Sequence, residues 1–201
     1  MEFGMAESVL FVCAQNVCRS ALMSAVFEES FRAEGELGLG TPRWRVESVG
    51  TQAPEGRRAC RIVVELAPEA AGHHSARLEA EDVDAADLVI AASLDERALI
   101  AGVRPSARSR TFTLREALLL GEEPVTASTL AEYAAVLDSR RGTLDLPMPS
   151  RRRWRGEAAS PLDVVDVHQL GGRAHRRGLE RAAADTRLLA SRLRRELASR
   201  S

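Results

Sequence analysis

The feature that most constrains this chain is a short apolar run that enters a polar loop on a cysteine. Residues 9–13 read Val-Leu-Phe-Val-Cys, and the loop Ala-Gln-Asn-Val-Cys follows before Arg19 and Ser20. The run is typical of a buried strand, and apolar residues spaced by three and four then predict a helix over about 19–33. The first amides of a helix lack internal partners and carry positive potential. A strand, a tight loop and a helix start therefore predict an anion site.

Cys13 and Arg19 give this anion site reactive chemistry. A thiol that lies over a helix N-terminus and beside a cation ionises readily, and the thiolate is the nucleophile. The planar guanidinium of Arg19 matches two oxygens of a phosphate, and Ser20 can donate a hydrogen bond to the sulfur. The five intervening residues are enough to wrap a tetrahedral dianion. The alternative is a buried strand-end cysteine beside a solvated arginine.

Further strands alternate with helices along the chain. The predicted strands are Trp44–Ser48, Asp87–Ala91 and Arg110–Thr113. The predicted helices are 57–67, one after the capping box Ser93–Glu96, 114–120, one from Thr129 to about Leu137, and 173–197. This alternation predicts an α/β fold. We expect a four-stranded parallel sheet with helices on both faces and a phosphate-binding loop after strand 1, at the strands' carboxyl ends.

Length and composition set the class of protein. A chain of 201 residues with a net charge of −1 is expected to form one domain over 1–201, with an irregular, extended segment at about 121–160. The balanced charge and the lack of a bilayer-length apolar run favour neither nucleic acid nor membrane as a partner. Three cysteines are too few for a disulfide framework. We therefore expect a cytoplasmic protein.

The loop from Cys13 to Ser20 resembles that of the low-molecular-weight protein tyrosine phosphatases, Cys-x-Gly-Asn-x-Cys-Arg-Ser. It departs from the pattern at Gln15, where the family has a glycine, and this side chain is expected to reshape the loop or lower activity. The resemblance implies that Cys13 is the nucleophile and that Arg19 binds the phosphate, with no cofactor and no catalytic metal. It also implies a set of substrate-binding residues: Ala14, Gln15, Asn16, Val17, Cys18 and Ser20.

The resemblance assigns supporting roles to residues outside the loop. Asn16 is expected to hold a left-handed backbone conformation, and Ser48 to help fix it. His74 matches the histidine of a family His-x-x-Arg pattern and is expected to support the loop from behind. Because no second cluster with ligand spacing accompanies the pair His73-His74, a metal site there is poorly supported.

The resemblance also suggests the general acid. The sequence Asp163-Val-Val-Asp166 stands where the family has Asp-x-Pro-Asp, before a long C-terminal helix, so Asp166 is expected to protonate the leaving group. A competing alignment uses residues 145–149, which keeps the prolines but puts Met148 at the acid position. A third possibility is that Asp166 only caps a helix.

Two further cysteines need an interpretation. By resemblance, Cys18 forms a protective disulfide with Cys13 under oxidation, and the alternative is simple loop packing. Cys60 is interpreted as a small buried hydrophobe.

The predicted activity is that of a cysteine-dependent phosphomonoester hydrolase that works through a cysteinyl-phosphate. Its partner would be a phosphorylated protein or a small phosphomonoester, and its oligomeric state is left open. The family sandwiches phosphotyrosine between aromatic walls. This chain has Gln52, Ala53 and Pro54 at one wall and Val167 and His168 at the other. A weaker preference for phosphotyrosine is therefore expected.

Two other activities compete with this prediction. The first is an arsenate reductase that uses the same loop, which requires further redox cysteines, whereas only Cys60 is available downstream of the loop. The second is a degenerate, non-catalytic phosphate-binding module.

Overall fold

A four-stranded, all-parallel sheet organises the molecule, as the alternation of strands and helices predicts. The computed structural model describes residues 7–35, 44–142, 160–166 and 171–198. The strands lie in the order β2-β1-β3-β4. They are β1 (Ser8–Cys13), β2 (Arg45–Gly50), β3 (Leu88–Ala91) and β4 (Thr111–Thr113). Every residue of β1 is buried, because it lies in the middle of the sheet between two layers of helices.

Seven α-helices are found among the described residues. They are α1 (Arg19–Gly35), α2 (Arg61–Leu66), α3 (Ala80–Asp84), α4 (Leu94–Val103), α5 (Leu114–Leu120), α6 (Leu130–Arg140) and α7 (Gly172–Ala198). Two 3₁₀ turns, Pro68–Gly72 and Pro105–Arg110, complete the connections. No described helix is long and apolar enough to cross a membrane.

One predicted helix is shorter than expected. The sequence predicts a helix over 57–67, but α2 begins only at Arg61. Arg58 instead pairs with His74 in an isolated antiparallel bridge. The backbone N–H of Cys60 donates to the carbonyl of Val17 at 2.9 Å. These two contacts hold the segment before α2 in an extended conformation, and they tie it to the loop after β1.

Side chains of the sheet alternate between two apolar layers. In β1, Val9, Phe11 and Cys13 face the larger layer, which α1, α5, α6 and α7 cover. Leu10 and Val12 face the smaller layer, which α3 and α4 cover. This alternation follows from the period of two along a strand, and it aims the Cys13 side chain toward α1.

Serine and threonine caps fix where the helices start, as predicted for two of them. Ser93 accepts from the backbone N–H of Glu96 at the start of α4, and Thr129 accepts from that of Glu132 at the start of α6. Thr113, at the end of β4, forms a full capping box with Glu116. Each cap satisfies amides that the first helical turn leaves unpaired.

The extended segment is only partly described. Gly121 to Gly142 includes α6, which packs its buried residues on the larger core layer. Residues 143–159 lie outside the described residues. The competing alignment at 145–149 falls there. The chain is described again from Ser160, just before the predicted general acid.

Candidate active site

The loop between β1 and α1 encloses the sulfur of Cys13. The Cys13 side chain is 2% exposed. The backbone N–H of Asn16 donates to its Sγ at 3.3 Å, and the Ser20 hydroxyl oxygen lies 3.0 Å from the same Sγ. Both contacts surround the sulfur with polar groups of the loop and of the first turn of α1.

Asn16 holds the loop in shape. It is the non-glycine residue with a positive φ among those described, at 50°. Its Nδ2 donates to Ser20 Oγ at 2.9 Å and to Ser48 Oγ at 3.0 Å, while its Oδ1 accepts from the N–H of Ala76. The expected Asn16–Ser48 contact is therefore present. These bonds offset the strain of a left-handed asparagine.

Gln15 does not occupy a backbone position that requires glycine. Its side chain is exposed, and its φ is not positive, so its backbone conformation is open to any residue. The close approach falls instead on Gly50, which pairs with Cys13 across the sheet. A Cβ on Gly50 would lie 2.7 Å from the carbonyl oxygen of Ala14 and 2.8 Å from the N of Asn16. A glycine at residue 50 lets the loop lie against β2.

The histidine that supports the loop is His73 rather than His74. His73 Nε2 donates to the carbonyl of Asn16 at 2.7 Å. His74 is exposed, and its Nδ1 contacts the carbonyl of Gly72. The expectation for His74 is therefore corrected. The backbone of His74 pairs with Arg58, and successive side chains of extended backbone point to opposite sides, so only one of the two histidines can face the loop.

Arg19 is buried at the mouth of the loop between two carboxylates. Its side chain is 8% exposed, and its Nη2 donates to Glu96 Oε1 at 3.2 Å and to Asp166 Oδ2 at 3.0 Å. Its Nη1 donates to the carbonyl of Val164 at 3.3 Å. Burial acts to lower the pKa of Arg19, but the negative charges of Cys13, Glu96 and Asp166 outweigh it, and the pKa is raised.

The short segment 160–166 positions Asp166 at the opening of the phosphate-binding loop. The N–H of Val164 donates to the carbonyl of Ala92 at 2.7 Å, and Asp163 Oδ1 accepts from the N–H of Leu94 at 2.9 Å. Thr113 Oγ1 donates to the carbonyl of Leu162 at 2.7 Å. The segment is thus fastened across the carboxyl ends of β3 and β4. The Asp166 side chain remains 57% exposed, facing the opening.

The remaining loop residues differ in exposure. Ala14 and Cys18 are half-buried, whereas Val17 is buried. The contact between the Cys18 and Cys60 thiols raises the pKa of Cys18, and burial adds to this effect. All three cysteines are thiols rather than disulfides. A Cys18–Cys60 contact was not expected, because Cys60 is remote in sequence and reads as a core residue.

Three residues at this site were not predicted for it: His73, Gly50 and Glu96. Glu96 was recognised only as the third helical residue of a cap, and its second contact, to Arg19, spans 77 positions. The sequence did carry a signal for His73, namely the histidine pair itself. Gly50 stood at a strand end, where a glycine indicates close backbone approach.

Comparison with known proteins identifies the family. The family model described as low molecular weight phosphotyrosine protein phosphatase matches residues 8–119. This chain belongs to the low-molecular-weight protein tyrosine phosphatase family. The family prediction from the loop motif is confirmed, and with it the prediction of a cysteine-dependent phosphatase.

Individual relatives agree with this assignment. A protein-arginine-phosphatase of Bacillus subtilis is 32% identical over 146 residues, which cover 71% of this chain and 86% of the relative. The structure of the YwlE arginine phosphatase from Geobacillus stearothermophilus has a TM-score of 0.64 at 22% identity, with 97% of each chain covered. The tyrosine phosphatase Wzb from Escherichia coli K30, solved with sulphate, has a TM-score of 0.61 at 14% identity, covering 94% of this chain and 99% of Wzb. These structural similarities confirm the fold.

Proposed function

We propose that Cys13, Arg19 and Asp166 perform phosphoryl transfer in this phosphatase, and that its substrates are phosphorylated proteins. The observation that carries the assignment is the convergence of three groups on one opening. The buried Cys13 sulfur accepts from a loop amide, Arg19 lies at the mouth, and the Asp166 carboxylate reaches Arg19 at 3.0 Å. Nucleophile, anion clamp and proton donor are the parts that a two-step phosphatase needs.

In the first step, the thiolate of Cys13 attacks phosphorus in line with the leaving group. The S–P bond forms as the bond from phosphorus to the leaving atom breaks, and Asp166 in its protonated form gives that atom a proton. Loop amides and the Arg19 guanidinium hold the other phosphoryl oxygens. The product is a cysteinyl-phosphate.

In the second step, water attacks the cysteinyl-phosphate. Asp166, now ionised, accepts a proton from this water, and inorganic phosphate leaves as the S–P bond breaks. The sulfur departs as a thiolate. Ser20, whose Oγ lies 3.0 Å from the Cys13 Sγ, donates a hydrogen bond that stabilises it.

We propose phosphoarginine in proteins as the substrate, in preference to phosphotyrosine. The first support is that the curated relative from Bacillus subtilis is named a protein-arginine-phosphatase. The second is the wall beside the loop, which is formed at Gln52: its N–H donates to the carbonyl of Ala14 at 2.8 Å, and its side chain is exposed. The flexible guanidino stem of phosphoarginine needs no aromatic wall, whereas a phenyl ring gains from one.

The aromatic residues of the described chain are committed to the interior. The five fully or mostly buried ones are Phe11, Phe27, Phe31, Phe112 and Tyr133. Trp44 is half-buried and stacks on Phe31 with ring centroids 4.5 Å apart, beside the start of β2 and so at the opposite end of the sheet from Cys13. No aromatic side chain of the described residues is therefore available at the mouth. Val167 and His168, the other expected wall, lie outside the described residues.

The test uses three peptides of one sequence that carry phosphoarginine, phosphotyrosine or phosphoserine. We expect kcat/KM for phosphoarginine to exceed that for phosphotyrosine by about tenfold, roughly the discrimination that one contact supplies. Cys13→Ser should abolish release of phosphate from every peptide. Asp166→Asn should slow the reaction about 100-fold or more. The loss should be larger for the peptide whose leaving group depends more on receiving a proton.

The possible results are distinguishable. Equal or better turnover of phosphotyrosine would refute the substrate assignment while the Cys13→Ser result still upheld the chemistry. Phosphate release that survives in Cys13→Ser would refute the nucleophile. A working thiolate requires a reducing compartment, and we therefore also propose a cytoplasmic location.

A further inference from the structure

Beside the phosphate-binding loop, two thiols and an imidazole from three separate elements meet. Their ligand atoms, the Sγ atoms of Cys18 and Cys60 and a ring nitrogen of His175, all lie within 4.8 Å of one another. Cys18 and Cys60 are half-buried, and His175 is only 6% exposed. Cys60 lies 42 positions after Cys18, and His175 lies 115 positions after Cys60, so the sequence spacing does not indicate a metal site.

The fold brings this cluster together through specific contacts. The N–H of Cys60 donates to the carbonyl of Val17, which places the start of α2 directly beside Cys18. His175 lies in the first turn of α7, where its N–H donates to the carbonyl of Gly171 at 3.0 Å. Next to it, Arg176 on α7 pairs with Glu65 on α2. The two helices are thus joined beside the cluster.

We propose that Cys18, Cys60 and His175 form a binding site for Zn²⁺. Two thiolates and an imidazole are ligands that this ion prefers, and three protein ligands leave a fourth position for water. In a tetrahedral site with Zn–S of about 2.3 Å and Zn–N of about 2.1 Å, ligand atoms lie roughly 3.5–3.8 Å apart. The cluster must therefore contract by only about 1 Å, within reach of side-chain rotation.

Binding is balanced by the loss of protons. Zn²⁺ forms two Zn–S bonds and one Zn–N bond, and the two thiol protons pass to solvent. The guanidinium next to Cys18 in the chain, that of Arg19, is neutralised by the carboxylates of Glu96 and Asp166. Arg61 and Arg176, which follow Cys60 and His175, both pair with Glu65. The resulting neutral unit of Zn²⁺ and two thiolates suits a half-buried position.

The site would clamp the end of the phosphate-binding loop to α2 and to the start of α7. Cys18 directly precedes Arg19, and α7 is the next described element after the segment that carries Asp166. A bound ion therefore fixes the two sides of the active site relative to each other. It does so without using Cys13, the sulfur that acts in the proposed reaction.

The first experiment measures Zn²⁺ affinity of the full chain, reduced with a phosphine and stripped of metal, by competition with a chromogenic chelator. We expect one ion per chain, and an affinity at least about 100-fold weaker in Cys60→Ser and His175→Gln. Two matched controls remove the same residue types outside the cluster. Cys13→Ser and His74→Gln should each keep the affinity within about tenfold.

A second measurement guards against variants that fold poorly. Co²⁺ added to the wild-type chain should give the sulfur-to-cobalt charge-transfer and d–d bands of a tetrahedral site with thiolate ligands, also in Cys13→Ser. Zn²⁺ should raise the melting temperature of the wild type and of Cys13→Ser but not of Cys60→Ser. The proposal is overturned if the reduced chain binds no ion, if cobalt shows no thiolate bands, or if Cys13→Ser loses binding as Cys60→Ser does. None of these readouts depends on phosphatase activity.

Discussion

Two glutamates occupy the same local position after neighbouring strands, yet they serve different ends. Glu96 is the third residue of α4, which Ser93 caps after β3, and Glu116 is the third residue of α5, which Thr113 caps after β4. Both are at least nine-tenths buried. A capping glutamate normally bonds backwards to its own helix start. What distinguishes the two is the set of arginines that each one meets.

At the active site, one arginine is shared by two carboxylates. Arg19 contacts Glu96 at 3.2 Å and Asp166 at 3.0 Å, and the Asp166 side chain is largely exposed. Negative charge is therefore in excess around a single guanidinium, and one of the carboxylates can move. In the proposed reaction, a phosphoryl group that enters the loop would compete with Asp166 for Arg19 and so free the Asp166 carboxyl for the leaving group.

At the second cluster, one carboxylate is shared by two arginines. Glu116 Oε1 accepts from Arg97 at 2.5 Å and from Arg141 at 3.0 Å, and Glu116 is 1% exposed. Arg141 also lies over the ring of Phe112 at 4.1 Å and donates to the carbonyls of Arg108 and Thr111. Apart from the partly exposed Arg97, the members of this pair network are largely buried. The comparison shows that the same capping position can either hold the buried arginine of the candidate active site or join α4, α5 and α6.

The largest effect should come from replacing Arg19, the arginine of the candidate active site, by lysine. In Arg19→Lys, the charge stays but the planar fork is lost, so we expect kcat to fall about 100- to 1000-fold. The free energy of unfolding should fall by only about 1 kcal/mol, because an ammonium still pairs with Glu96 and only the bond to the Val164 carbonyl is lost. Steady-state kinetics on a phosphorylated peptide and urea unfolding measure the two quantities.

Arg141→Lys is the matched control for this experiment. It removes contacts with two backbone carbonyls and with Phe112, and we expect a loss of about 1–2 kcal/mol of unfolding free energy with kcat unchanged. If Arg19→Lys lost stability and kept its kcat, the two clusters would not differ in the way described.

An intermediate effect is expected from converting each glutamate to glutamine. Glu116→Gln removes the carboxylate that Arg97 and Arg141 share and leaves Arg141 with Asp138 as a partner. We expect a loss of about 2–3 kcal/mol of unfolding free energy, below the value for a fully buried pair because Arg97 is 34% exposed. Glu96→Gln leaves Arg19 paired with Asp166. It should cost about 1 kcal/mol of stability but lower kcat about tenfold, because Arg19 loses one of its anchors.

Urea unfolding and kcat, measured together on both variants, decide this prediction. Equal stability losses with equal kcat values would mean that Glu96 is only a helix cap. A rise in KM with unchanged kcat in Glu96→Gln would mean that Glu96 affects the binding of substrate rather than the arrangement of Arg19.

The parts of this molecule that local sequence determines were predictable, and those that depend on long-range contacts were not. Strand alternation predicted the sheet, and α5 has the predicted bounds, because helix and strand periods are local properties. The loop motif located Cys13 and Arg19. No local pattern predicts that Glu96 contacts Arg19, or that Cys60 and His175 lie beside Cys18. Tertiary packing determines these contacts.

The choice between His73 and His74 shows a further limit. The motif located the pair, but which ring faces Asn16 depends on a backbone bridge between His74 and Arg58. The same bridge shortens the predicted helix 57–67. One non-local pairing thus accounts for two departures from the sequence prediction. Hydrophobic periodicity describes only local structure and does not reveal such a pairing.

The smallest effects should come from residues that support each cluster from outside, namely Ser48 at the phosphate-binding loop and Asp138 beside Arg141. Ser48→Ala removes one of two acceptors of the Asn16 amide, and we expect about 1 kcal/mol less stability with kcat lowered three- to tenfold, because the left-handed turn of the loop is held less firmly. Asp138→Asn weakens a partly exposed pair with Arg141 and should cost at most about 1 kcal/mol with kcat unchanged. The ratio of the kcat change to the stability change separates the two regions. A Ser48→Ala variant with unaltered kcat would show that the other partners of Asn16 hold it in place without Ser48.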